Sequence, residues 1–202
     1  MIKPYLSVIL KPPRDNETLF AGLIKLDRDL ANEEFSYEII LLVKSPEELN
    51  TFSRFFHLLP NLKIIPVANV TSIRGSWQLF TKISYADIVG AFKRMTSNSA
   101  DSRGLIIGAQ QYQNLVKNFL IRKLLRGAKK DYLTCLRCFG DEVAKEVVTE
   151  RGFDWHCDID PIIIAEKRGV KIETIKVSGA PICDLSFNRV VTSIFRLKNR
   201  VA

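Results

Sequence analysis

The stretch Tyr37–Val43 (YEIILLV) constrains the fold more than any other. A run so nearly apolar suits a strand buried on both faces, which is the habit of parallel sheets covered by helices. Ser45-Pro46-Glu47-Glu48 follows at once, a capping box with proline at the first helical position. The helix it opens is expected to turn Leu49, Phe52, Phe55, Phe56 and Leu59 inward. The same alternation runs along the chain. Leu6–Leu10 reads as a first strand, and Leu19, Phe20, Leu23, Ile24, Leu26 and Leu30 mark one face of a helix capped by Asp15. Leu62–Val67 is a third strand, 68–76 a polar loop, Trp77–Phe80 a fourth strand, Ala86–Met95 a helix and Gly104–Gly108 a further strand. Beyond it, helices are expected over Asn114–Arg126 (basic and amphipathic), Asp141–Arg151 and Asp160–Arg168, a strand over Val170–Val177, and a basic amphipathic helix over about 187–199. Strand–helix alternation predicts an α/β fold with a mostly parallel central sheet flanked by helices. With 202 residues and no repeat, low-complexity tract or linker, one domain over 1–202 is the simplest organisation.

No apolar run approaches the roughly 18–20 residues that span a bilayer. The N-terminal MIKPYLSVIL is interrupted by Pro4 and reads as a strand rather than a signal peptide, so a cytoplasmic location is expected. The net charge of +8 favours anionic partners: sugar nucleotides, phospholipid head groups or nucleic acid. Between Lys117 and Arg137 stand Lys117, Arg122, Lys123, Arg126, Lys129, Lys130 and Arg137, with Asp131 as the one acid. This stretch is either a solvated helix face or a docking surface for an anionic membrane or nucleic acid. The aromatic interleaving of a single-strand groove is missing, which argues against nucleic acid. The terminal basic helix would suit a peripheral contact with a membrane.

Cys135-Leu-Arg-Cys138 is a C-x-x-C pair, a spacing that ligates zinc or cycles redox state. Zinc needs further ligands, and Cys157, His156 and Cys183 follow at irregular intervals. Buried thiols are the plainer expectation. His57 lies among Phe55, Phe56 and Leu58 and reads as structural. The segment GFDWHCDIDP (152–161) places Asp158 and Asp160 two apart. Asp160 before Pro161 makes an N-cap followed by a favoured first helical residue. The same pair is formally a D-x-D with His156 beside it, so metal ligation stays open.

Several short stretches, taken in order, resemble the family 2 glycosyltransferases, and among them the dolichyl- or polyprenyl-phosphate hexose synthases. The resemblance covers roughly 5–180. YLSVIL and SYEIILLV open it. GSWQLF (Gly75–Phe80) resembles the lead-in to the family's metal motif, and GLIIGAQ (Gly104–Gln110) its "vIGSR" strand. CLRCF (Cys135–Phe139) stands where the family has "CGFKAF", and GDEVAKEVV follows as the family's helix does. GFDWHCDIDPIIIAEKRGVKIETIKV resembles "GfafDvElLyiAkkrGykIkEVPV". The resemblance implies a single-domain GT-A, Rossmann-like nucleotide-diphospho-sugar transferase fold. It implies a nucleotide sugar as donor, a lipid phosphate as acceptor and a divalent Mg or Mn ion as helper. Asp158 and Asp160 align with the family's acidic pair, which implies an acceptor-orienting or basic role. Arg137, at the family's lysine position, and Arg122 would face phosphate.

The departures fall where the family keeps its acids. "PAYNEE" is replaced by Lys11-Pro12-Pro13-Arg14-Asp15-Asn16, and "DDGS" by Val43-Lys44-Ser45-Pro46. The D-x-D falls on LFTKIS, with Lys82 and Ser84 in the carboxylate places. A lysine does not ligate a hard cation, but it meets a phosphate as a point charge. Lys11, Lys44, Lys82 and Ser84 are therefore the expected donor-site residues. Three readings stay open: a transferase freed of metal, a transferase whose acids lie elsewhere, and a non-catalytic relative that still binds on the same fold.

Overall fold

The computed structural model describes residues 4–11, 16–55, 57–67, 69, 73–97, 104–109, 119, 133–148, 160–181 and 192. Its elements are β1 (Leu6–Lys11), α1 (Asn16–Ala31), β2 (Tyr37–Val43), α2 (Pro46–Ser53), β3 (Leu62–Pro66), β4 (Trp77–Lys82), α3 (Ile88–Thr96), β5 (Gly104–Ala109), β6 (Arg137–Gly140), α4 (Asp141–Val148), α5 (Asp160–Lys167) and β7 (Lys171–Lys176). Apart from residues 119 and 192, the helices expected over Asn114–Arg126 and 187–199 lie outside the described residues, as do Asp15, Arg122, His156, Cys157 and Asp158.

The seven strands form one sheet in the order β3-β2-β1-β4-β6-β5-β7. β1 pairs in parallel with β2 and β4, β2 with β3, and β5 with β7. β6 is the exception, antiparallel to both neighbours. Side chains alternate across a strand, so each face carries its own core. One core joins Val8, Leu10, Leu41 and Leu79 to Leu19, Leu23, Leu26 and Leu30 of α1, Phe52 of α2, and Phe92 and Met95 of α3. The other joins Ile9, Ile40, Phe80 and Ile107 to Val143 and Val147 of α4 and Ile162–Ala165 of α5. The sheet is thus a middle layer, buried on both faces as the YEIILLV run requires.

Local signals in the sequence set the element starts. The Ser45 hydroxyl accepts the Glu48 N–H and Pro46 fills the first turn of α2. Glu48 reaches back one residue further than the usual box, its Oε2 accepting the Lys44 N–H at 2.7 Å. α2 ends at Ser53, short of the expected run through Leu59. The chain tightens there: the Phe55 N–H bonds to the Phe52 carbonyl and the Leu58 N–H to the Phe55 carbonyl. Phe55 and Leu59 are still buried, now from turns, and Phe55 stacks on Phe20 at 5.1 Å.

A polar cluster pins the amino ends of the central strands. The Ser7 hydroxyl donates to Glu38 Oε1 and accepts the Gly75 N–H at 3.0 Å, while Lys63 pairs with Glu38 Oε2. Glu38 is therefore a buried carboxylate with hydrogen-bonded partners, the condition under which such a charge is tolerated. Gly75 is required by space: a Cβ there would lie 2.2 Å from Ser7 Oγ and 2.7 Å from the Ser7 backbone nitrogen.

Candidate functional site at the carboxyl edge

In this sheet β1, β2 and β3 step to one side, and the chain then crosses back to lay β4 on the other side of β1. Open α/β sheets bind ligands outside the carboxyl ends of their strands at such a switch point. Here it lies between β1 and β4. The residues that end these two strands, Lys11 and Lys82, are direct partners in the register, so their Cα atoms are about 4.8 Å apart.

The neighbouring strands extend the pattern. Lys44 follows the last residue of β2, next to β1. β6, next to β4, runs the other way and begins at this edge with Arg137, opposite Phe80 and Ile107. Lys44, Lys11, Lys82 and Arg137 thus stand at the carboxyl-edge ends of four neighbouring strands, Lys44 just beyond its own. Three neighbour spacings span about 14 Å. By alternation Lys82 and Arg137 share the face of Phe80 and Phe139, whose rings meet edge-to-face at 5.4 Å. Lys82 stands at the rim, partly exposed, and Arg137 one layer below it. Arg137 is 0% exposed, the largest fully buried side chain described, and its Nε donates to the Thr134 carbonyl at 3.0 Å. The sequence offered Arg137 as a phosphate ligand or a surface arginine. The second is overturned, because antiparallel pairing places β6 in the middle of the sheet.

The loop after β4 holds the rim in place. Ser84 is exposed, between two buried neighbours, Ile83 and Tyr85. Ile83 packs so closely on α1 that a Cβ on Gly22 would lie 2.6 Å from its Cγ1. The Tyr85 hydroxyl donates to the Ser178 carbonyl at 3.1 Å, which ties this loop to the chain leaving β7. Burial raises the Tyr85 pKa, with the nearby Asp87 charge adding to the effect, so the phenol stays a proton donor. Tyr85 carries no sequence signal for this role, because Ser178 is 93 residues away.

α5 approaches the same edge. It ends three residues before β7, at the amino edge, where Lys171 pairs with Gly104. Gly169 makes that turn with φ +70°, a left-handed conformation that favours glycine. α5 therefore points its first residue, Asp160, toward the carboxyl edge, on the face that holds Lys82 and Arg137. Asp160 does begin a helix, as its place before Pro161 indicated.

The two described cysteines do not converge. Cys135 belongs to the core under α4 and α5 and Cys138 to the core under α1 to α3. Residues three apart on extended chain point to opposite faces. Both are buried, and burial pushes the Cys138 thiol pKa upward, so it stays neutral. This is the plain reading of the pair rather than a zinc or disulfide site.

The strand order, directions and flanking helices make this a GT-A, Rossmann-like nucleotide-diphospho-sugar transferase fold. Neither a family model nor a curated protein matches the sequence. Solved structures match the fold. Glucosyl-3-phosphoglycerate synthase from Mycobacterium tuberculosis, in complex with UDP, aligns at TM-score 0.65 and 10% identity over 96% of this chain and 79% of that one. A mannosyltransferase from Pyrobaculum calidifontis, in complex with GDP-Man and Mn2+, aligns at 0.57 and 12% over 98% and 65%. The 4-diphosphocytidyl-2C-methyl-D-erythritol synthase of Anaerococcus prevotii aligns at 0.57 and 10% over 96% of both chains. At such identities the likeness speaks for the fold.

A divalent ion accompanies the donor in the mannosyltransferase complex. The residues described at this edge do not suit one. Hard cations take oxygen ligands, carboxylates above all, and β1 and β4 end here in lysines. Of the described acids near it, Asp87 accepts the Gly90 N–H and the Arg94 guanidinium, Glu48 accepts the Lys44 N–H, and Asp160 begins α5. Among the described residues no group of three or more His, Cys, Asp or Glu side chains could hold a metal.

Proposed function

We propose that this chain is a glycosyltransferase-like protein that binds a nucleotide sugar along the carboxyl edge, with its diphosphate at the β1–β4 switch point. The observation that carries the reading is the row of positions Lys44, Lys11, Lys82 and Arg137 at the edge ends of four neighbouring strands. A diphosphate is the dense anion that such a row meets, and charge-assisted hydrogen bonds from amines and guanidinium to phosphate are the strong kind. Ser84 adds a hydroxyl at the rim. If hexose transfer is retained, Asp158 and Asp160 are the candidates to orient an acceptor hydroxyl or take its proton. An acceptor that is already a phosphate, such as a polyprenyl phosphate, needs less help of that kind. Arg122 and the basic segment 187–199, expected from its sequence to be helical, are then suited to hold a lipid phosphate at a membrane surface from the cytoplasmic side. Among the described residues no helix is long and apolar enough to cross a membrane.

The test is a thermal-shift and turnover screen of the purified chain with UDP- and GDP-hexoses, with and without polyprenyl phosphate. A ligand at 100 times its Kd stabilises the native state by about 2.7 kcal/mol. That raises the Tm of a chain this size by roughly 5–11 °C. Released UDP or GDP and a glycosylated lipid would identify a transferase. A shift without turnover would identify a binding protein on the same fold. No shift and no turnover with any nucleotide sugar would refute the reading.

A further inference from the structure

We infer that the edge neutralises its diphosphate with its own side-chain cations and binds nucleoside diphosphates without a divalent metal ion. The inference rests on the nucleotide reading above and deepens it. A diphosphate needs countercharge, which either a bound cation or the protein can supply. In this chain the supply is built into the sheet. Lys11 and Lys82 end the two strands that flank the switch point and are Cα partners in the register. Lys44 and Arg137 continue the row on either side.

The strand ends themselves supply no ligand for a metal. Amines and guanidinium groups have no lone pair for a hard cation at neutral pH, and they repel it. Of the described carboxylates, Asp87 caps α3 and pairs with Arg94, Glu48 closes the start of α2, and Asp160, which begins α5 on this face, is a single acid where a hard cation takes several oxygen ligands. Arg137 adds a second feature. Its position is fixed by two ladders, one to β4 and one to β5, so the row is anchored in the middle of the sheet. Preorganised charge of this kind binds without a further ordering cost.

The experiment is calorimetric titration of the full chain with UDP, GDP and inorganic pyrophosphate, in EDTA and again with Mg2+ or Mn2+. Binding is expected in EDTA, unchanged or weakened by the metal, because the metal competes with the lysines for the same phosphate oxygens. Raising NaCl from about 50 to 200 mM shortens the screening length from roughly 14 to 7 Å and should weaken binding several-fold. Lys82→Gln should weaken binding about 10- to 100-fold, the loss expected of one charged hydrogen bond, and Lys82→Arg should retain most of it. Nucleotide binding that appears only with Mn2+ would overturn this inference while leaving the nucleotide site in place. Absence of binding under every condition would overturn the site itself, and the inference with it. Salt-insensitive binding of the wild-type chain, a result that depends on no variant folding, would also overturn the inference.

Discussion

Gly75→Ala should be among the most damaging single-methyl changes in this protein. The added Cβ would lie 2.2 Å from Ser7 Oγ, 2.7 Å from the Ser7 nitrogen and 2.8 Å from the Trp77 carbonyl oxygen. The hydroxyl can rotate away, but two of the three obstacles are backbone. Ser7 is locked in β1 between β2 and β4, and Ser76 and Trp77 are bonded to the Pro4 and Tyr5 carbonyls. Relief therefore means moving the start of β4. Forcing a methyl into a packed site costs about 1–3 kcal/mol. Loss of the 3.0 Å hydrogen bond from the Gly75 N–H to Ser7 adds about 1 kcal/mol. The total is about 2–4 kcal/mol, or a Tm lower by roughly 4–16 °C for a domain of this size. Denaturant unfolding followed by circular dichroism measures it. The double variant Ser7→Ala/Gly75→Ala removes the hydroxyl but not the backbone contacts, so it should recover little. A Gly75→Ala protein within about 0.5 kcal/mol of the parent, or full recovery in the double variant, would refute the steric argument.

Four further outcomes follow from the same geometry. Ser45→Ala removes the acceptor for the Glu48 N–H and should destabilise by about 1 kcal/mol in the same unfolding assay. Gly90→Ala puts a Cβ 2.3 Å from the Asp87 carboxylate, the end of a side chain that can turn away. The lost cap and the helix preference of alanine, each about 1 kcal/mol, should nearly cancel, leaving stability within about 0.5 kcal/mol. Thr81→Val should be neutral or stabilising by about 1 kcal/mol, because the Thr81 hydroxyl is fully buried with no hydrogen-bond partner. Cys138 binds its proton more tightly folded than unfolded, so its contribution is intact below the ordinary thiol range and is lost as pH rises above about 8.5. Stability measured between pH 7 and 10 should fall less steeply in Cys138→Ala than in the parent, and parallel slopes would contradict the assignment.

The nucleotide reading gains weight from where the cations fall rather than from their number. A surplus of +8 could be spread over any surface. What narrows it is the meeting of four basic positions from four separate segments at one edge of one sheet. The likeness to solved nucleotide-sugar transferases fixes the framework, and the chain's own residues set its electrostatics.

Taken by itself, the chain determined its local structure. The YEIILLV run became β2 over the same residues, and the helix starts at Ser45 and Asp160 fell where capping chemistry put them. Resemblance to the family 2 glycosyltransferases carried the GT-A fold. What no local signal carried was β6. Four residues are too few to show a period, and Arg137 at its start has the look of a surface residue. Its burial follows from partners in β4 and β5, at least 30 residues away along the chain, and pairing over such separations is written in no single window. The opposed faces of Cys135 and Cys138, the tie from Tyr85 to Ser178 and the space denied at Gly75 have the same origin. Hydrophobic periodicity and capping are properties of neighbouring residues, whereas a site assembled from strand tips exists only once the strands have been ordered.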